Sequence, residues 1–92
     1  MVTAIVLIKS ERDQISSLAK GLIEVKGVAE VYSVAGRYDL VVVVKVQQMD
    51  ELAECISDDM RKQRGIVETE TLIAFRAFSD QELAIGYDLG LD

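Results

Sequence analysis

Four consecutive residues in the middle of the chain carry chemistry that is scarce elsewhere in it. Gly36, Arg37, Tyr38 and Asp39 set a guanidinium, a phenol and a carboxylate directly after a glycine. A guanidinium forks onto a carboxylate, a fixed carboxylate holds an ammonium, and a glycine lets the backbone itself come close to a bound group. These residues stand at the entrance to Leu40-Val41-Val42-Val43-Val44-Lys45-Val46, where the backbone leaves an apolar run. Whatever the protein binds is expected to bind there. The chain has no histidine, so the commonest general base near neutral pH and the commonest metal ligand are both missing. Cys55 is the sole cysteine, which leaves no disulfide framework and no thiolate metal site. Neither a metal nor a cofactor is expected.

A formal charge of −6 argues against direct contact with nucleic acid, whose phosphates are held by clustered cations. The densest basic stretch, Arg61-Lys62-Gln63-Arg64, falls at the end of a predicted helix, where cations offset the macrodipole. Residues 4–8 form a short apolar run halted by Lys9, too brief for a membrane span or a signal-peptide core. A cytoplasmic protein without a membrane partner is expected. Its 92 residues make one domain, and half of them are hydrophobic although few are aromatic. The core must therefore be aliphatic.

The elements that position the polar cluster can be read in order. Residues 2–8 are a first strand, apolar on both faces. Ser10-Glu11-Arg12-Asp13 has the spacing of a capping box, and Ile15, Leu18, Ala19 and Leu22 follow at helical spacing until Lys26-Gly27. Gly21 inside this helix costs about 1 kcal/mol relative to alanine, so docking must hold the helix together. Residues 28–34, interrupted by Glu30 and Ser33, read as an edge strand. A tight hairpin at Gly36-Arg37 leads into the third strand, with Leu40, Val42, Val44 and Val46 on one face and Val41 and Val43 on the other. A second helix carries Met49, Leu52, Ala53, Ile56 and Met60 as its apolar stripe, with Cys55 packed on the flank, and Gly65 ends it. Residues 66–77 are the fourth strand: Glu68, Glu70, Leu72 and Ala74 fall on one side, Val67, Thr69, Thr71, Ile73 and Phe75 on the other.

Gly27-Val28-Ala29-Glu30-Val31 is echoed by Gly65-Ile66-Val67-Glu68-Thr69, each following a helix and opening a strand. Two βαβ halves joined by a hairpin make an α+β, ferredoxin-like βαββαβ sandwich: a four-stranded antiparallel sheet with two helices on one face. The right-handed crossover rule puts the first and third strands in the centre. Two helices cover one face only, so Ile5, Leu7, Val41, Val43, Ile73 and Phe75, or their alternates, are left on an apolar underside. A second copy packed sheet to sheet would cover it, and an obligate dimer is expected. In the tail, residues 79–92, Ser79-Asp80-Gln81-Glu82 has capping-box spacing, and Leu83, Ile85, Tyr87, Leu89 and Leu91 alternate with small or acidic residues. This tail is expected to dock on a neighbouring subunit.

Val34-Ala35-Gly36-Arg37-Tyr38-Asp39-Leu40, preceded by Gly27-Val28 and followed by Gly65-Ile66-Val67-Glu68-Thr69-Glu70-Thr71, resembles the effector-binding domain of the Lrp/AsnC transcription regulators, the RAM (regulation of amino-acid metabolism) module. The resemblance covers about residues 1–78. It implies the sandwich fold, a dimeric α/β-barrel-type assembly with sheets face to face, and rings of dimers such as octamers or decamers. It also implies a free amino acid or related metabolite bound between dimers, lined by the hairpin loop and by threonines of the last strand. Carried over by motif, the binding residues are Gly36, Arg37, Tyr38, Asp39, Thr69 and Thr71. Asp39 would hold the α-ammonium, the Gly36 turn and Arg37 the α-carboxylate, the two threonines would complete the polar ring, and Tyr38 would wall the side-chain pocket. Nothing precedes the first strand to supply a helix-turn-helix. The expectation is therefore a stand-alone, non-enzymatic module that modulates assembly, including that of a full-length Lrp/AsnC-type regulator.

Two other classes use the same sandwich. A small cofactor-free enzyme of the dimeric α/β-barrel type would have to work with Tyr38, Asp39, Glu68 or Glu70. An ACT-like regulatory domain usually has a glycine after its first strand, where this chain has Lys9-Ser10-Glu11-Arg12. Each binding candidate also has a local role open to it: Gly36 in the hairpin, Asp39 as a turn cap, and the threonines as ordinary strand residues.

Overall fold

A computed structural model describes residues 1–78; the tail with its alternating pattern lies outside the described residues. The element order is β1 (Val2–Ser10), α1 (Ile15–Ile23), β2 (Val28–Ser33), β3 (Leu40–Val46), α2 (Met49–Ala53) and β4 (Ile66–Ile73). Between α2 and β4 the second helix continues as a π-helical turn, Glu54–Asp59, and a 3-10 turn, Met60–Lys62. The strands form one antiparallel sheet in the order β2-β3-β1-β4, so the two strands apolar on both faces are the central pair. This is the ferredoxin-like sandwich expected from the sequence.

Register assigns the faces. Ala4, Val6 and Ile8 of β1 pair with Val44, Val42 and Leu40 of β3, and all six side chains are fully buried under the helices. Leu18 and Leu22 of α1, Leu52 of α2, and Cys55 and Met60 beyond it complete this aliphatic core. On the opposite face Ile5 lies between Val43 and Leu72, and Leu7 between Val41 and Glu70. Ile5, Leu7, Val41 and Val43 are half-buried there, and Leu72 is exposed. The underside is thus apolar as expected, with two changes of membership. Ile73 pairs with Ala4 and so faces the helices, leaving Leu72 in its place, and Phe75 lies beyond the strand, which ends at Ile73 rather than continuing to residue 77.

Three other local expectations are corrected. The Ser10–Asp13 capping box does not form, because Ser10 is the last residue of β1 and its hydroxyl donates to the Glu11 carbonyl at 2.9 Å. Gln14 caps α1 without a side-chain bond. The stripe of the second helix is also shifted: Leu52, Cys55 and Met60 are buried, while Met49 and Ala53 are exposed. After Cys55 an α-helical step of four would turn the charged Asp59 toward the sheet. The wider π turn brings Met60 there instead. Finally, the β2–β3 connection is a six-residue loop, residues 34–39, closed by the Val34 N–H donating to the Asp39 carbonyl at 3.0 Å.

Candidate functional site

The loop presents its polar side chains at one end of the open sheet face. Gly36 has φ +143°, and a Cβ built on it would meet nothing within 4 Å, so the backbone conformation selects glycine while the space beside it stays open. Asp39 is tied down twice. Its N–H donates to the Ile8 carbonyl at 2.9 Å, and its Oδ2 accepts the Ser10 N–H at 2.8 Å. The carboxylate thus satisfies the backbone where β1 turns away from β3. One oxygen is occupied by this contact.

Tyr38 reaches across the end of β1 to β4, where its hydroxyl donates to Glu70 Oε1 at 2.8 Å. That bond, with smaller contributions from desolvation and from the Glu70 charge, raises the Tyr38 phenol above its ordinary value near 10, although Arg37 pulls the other way. The Arg37 guanidinium stands 5.7 Å from the Tyr38 ring centroid, within cation–π range. Lys9 Nζ donates weakly to the Arg37 carbonyl at 3.4 Å, and Lys9 lies opposite Glu68 in the register. Among the described residues the single ion pair is Lys62–Asp59 at 3.8 Å. Lys9, Arg37, Glu68 and Glu70 therefore stand at the rim of an apolar face with no opposite charge of a described residue within ion-pair distance.

Gly36, Arg37, Tyr38 and Asp39 are brought together, and Lys9, Ser10, Glu68 and Glu70 join them. Thr69 and Thr71 are not part of this group within one protomer. They pair with Ile8 and Val6 and so lie on the helix side of β4, with the Tyr38–Glu70 contact on the other side of the sheet. There they border a cleft between β4 and the second helix. Thr69 lines a cavity of about 490 Å³ with Ser57, Arg61 and Gln63, and Thr71 lines a neighbouring, more apolar one of about 320 Å³ with Met49, Ile56 and Ile73. Glu70, named from the sequence only for the enzyme alternative and not among the binding candidates, joins the loop because strand register sets it within reach of Tyr38. The alternation of Glu68 and Glu70 did mark them as sharing a face. Among the described residues no group of three or more His, Cys, Asp or Glu could hold a metal ion, and no helix is long and apolar enough to cross a membrane.

The profile of the Lrp/AsnC ligand binding domain matches residues 3–83. The chain belongs to the Lrp/AsnC family. This Lrp/AsnC module is 32% identical over 76 residues to an uncharacterised HTH-type transcriptional regulator of Pyrococcus horikoshii, PH1916, covering 79% of the chain and 51% of the relative. It is likewise 32% identical over 79 residues to the HTH-type transcriptional regulator LysM of Sulfurisphaera tokodaii, covering 84% of the chain and 55% of the relative. The chain thus spans about half the length of the curated relatives it matches. Among solved structures, TTHA0845 from Thermus thermophilus superposes with a TM-score of 0.80 at 40% identity, with 86% of this chain and 99% of that one covered. FFRP-DM1 gives a TM-score of 0.76 at 33% identity, with 82% and 100% covered. The relatives are transcriptional regulators, and the portion this chain shares with them is the ligand-binding domain.

Proposed function

We propose that this Lrp/AsnC module binds a free amino acid or a closely related metabolite at a junction between copies of the chain, and that occupancy biases its assembly. The observation that carries the reading is the group of charges, Lys9, Arg37, Glu68 and Glu70, at the rim of an apolar sheet face, with no ion pair to one another among the described residues. Half-buried aliphatic side chains on an open sheet match an interface core, and the charges around them match its rim. Two copies packed sheet to sheet make the dimer. Further contacts between dimers, closing into a ring, would bring Thr69 and Thr71 of one protomer near the 34–39 loop of another.

In such a junction Arg37 receives the α-carboxylate, while Glu70 and the free oxygen of Asp39 share the α-ammonium. A ligand there acts only by binding one assembly better than another, and the output is the oligomeric state, of this chain alone or together with a full-length DNA-binding relative. Two structures that share the fold, a regulator from Neisseria meningitidis at 11% identity and a feast or famine regulatory protein from M. tuberculosis at 24%, are complexes with L-methionine. L-Methionine is therefore the first probe. The test is thermal melting against the full set of amino acids: at 100 times Kd a ligand adds about 2.7 kcal/mol of stability. A melt unmoved by every amino acid at millimolar concentration refutes the proposal.

A further inference from the structure

Past the end of β4 an exposed aromatic side chain stands next to a cation. The Ala74 N–H still donates to the Thr3 carbonyl at 2.9 Å, and the next side chain, Phe75, is 99% exposed. A phenylalanine buries roughly 150–250 Å² when it packs, so one left in water forgoes a large apolar gain. Arg76, which follows it, is exposed as well.

A receptor for this pair lies on the helix side of the same strand. Met49, Leu52, Ile56 and Ile73 line the apolar cavity of about 320 Å³ between the second helix and β4, where Met49 is 55% and Ile73 46% exposed. A dry cavity of about 150 Å³ already takes up benzene, so a phenyl ring has room here. Ala53 and Ser57 line this cavity and also the adjoining surface, which carries Asp50, Glu54, Asp58 and Asp59. Lys62 on that surface is paired with Asp59 at 3.8 Å. A site for an apolar ring thus passes directly into a net negative surface, the same succession as Phe75 and Arg76.

Phe75 does not fill the cavity of its own protomer, since it is almost fully exposed. It follows Ile73, a lining residue, by two positions, so at most about 7 Å of chain separates the two. Anchor and receptor therefore stand side by side at one end of β4. A twofold axis beside that end carries each anchor to the other copy's receptor, and the contact is made twice.

We infer that Phe75 of one copy inserts into the apolar cavity between β4 and the second helix of another copy, with Arg76 on the acidic surface of that helix, and that the exchange is reciprocal. Thr71 and Ile73 pair with Val6 and Ala4, which are buried under the helices, so the contact is separate from the open sheet face. It requires no effector and does not rest on the amino-acid reading.

The experiment is sedimentation equilibrium on the full chain for the natural sequence, for Phe75→Ala, for Ala53→Arg and for an equimolar mixture of the two variants. Amide hydrogen exchange of β1 and β3 serves as the control for folding, and both substituted residues are exposed. Phe75→Ala removes the anchor, and Ala53→Arg blocks the receptor. Each variant alone is expected to weaken association roughly a thousandfold, because two anchors worth about thirtyfold apiece are lost. In the mixture an intact Phe75 of one chain meets an intact cavity of the other, so association is expected to be about thirtyfold tighter than in either variant alone. Natural association of Phe75→Ala overturns the inference. So does a mixture no tighter than its components, the result expected if Phe75 packs within its own chain. Arg76→Glu is expected to weaken association about tenfold and the addition of Glu54→Lys to restore it; weakening without rescue overturns the seat given to Arg76.

Discussion

Replacing Val43 by aspartate separates the fold of one protomer from the assembly of two. Val43 is half-buried in the middle of the open face, between Ile5 of β1 and Glu30 of β2. In a lone protomer the substitution loses valine's strand preference and partial burial and sets a carboxylate opposite Glu30, together about 2 kcal/mol. A domain of this size has a stability of roughly 5–15 kcal/mol, so the variant folds. In a sheet-to-sheet dimer, twofold symmetry brings two such carboxylates into the contact. Removing an unpaired charge from water costs several kcal/mol after relaxation; at about 3 kcal/mol for each, the pair costs about 6 kcal/mol. That weakens dimerisation roughly ten-thousandfold. The assay is light scattering coupled to gel filtration, with far-ultraviolet circular dichroism on the same fractions. The expected result is an assembly of lower mass with an unchanged dichroism spectrum, and Val43→Ala should retain most of the natural mass. A folded Val43→Asp variant with the natural mass would refute the role assigned to this face.

Gly65→Ala is expected to cost about 2–3 kcal/mol in denaturant unfolding, because Gly65 has φ +99° and a new Cβ would sit 2.7 Å from the Gln14 Cβ. Gly36→Ala, where only the backbone angle is at issue, should cost less, about 1–2 kcal/mol; the reverse order would refute the steric argument. In an alkaline titration of phenolate absorbance, the component lost in Tyr38→Phe should have its midpoint above 10, since donation to Glu70 holds that phenol protonated. A raised phenol favours the folded state below its unfolded pKa, and the benefit disappears as pH climbs through the folded one. Tyr38→Phe should therefore lower stability at neutral pH and converge with the natural chain at high pH. Cys55 is buried, and desolvation followed by the Asp59 charge raises its thiol, so a thiol reagent should modify it only as fast as the chain opens. Modification of the native protein as rapid as in denaturant would contradict its place in the core.

The fold was legible where a single residue pattern has a single packing solution. Leu40, Val42 and Val44 against Val41 and Val43 specify a strand covered on both faces, and crossover handedness then makes β1 and β3 central. Features set by competition between neighbours were not legible. Ser10 has the residue type and spacing of a helix cap, yet it ends β1 because Asp39 Oδ2 takes its N–H. The π turn is hidden because Leu52 and Ile56 repeat at α-helical spacing, and only the choice between burying Asp59 and burying Met60 favours the wider turn.

The candidate site divides along the same line. Residues 36–39 are contiguous, so the loop carries them together whatever the register. Partners from other strands depend on which way each strand faces. The pairing of β1 with β4 contains an irregularity between Lys9 and Ser10, and beyond it Lys9 meets Glu68 and Leu7 meets Glu70. This places both carboxylates on the open face beside Tyr38 and turns Thr69 and Thr71 toward the helices. A one-residue slip would exchange the two sets. The loop and the threonines can therefore share a ligand only if the threonines belong to another protomer, whereas Glu70 can act within the same one. Glu70→Gln and Thr71→Val consequently test different parts of the proposal. The first should weaken effector binding even in the dimer, and the second only where dimers meet, so a titration of both variants across the assembly transition distinguishes a site within the dimer from one between dimers.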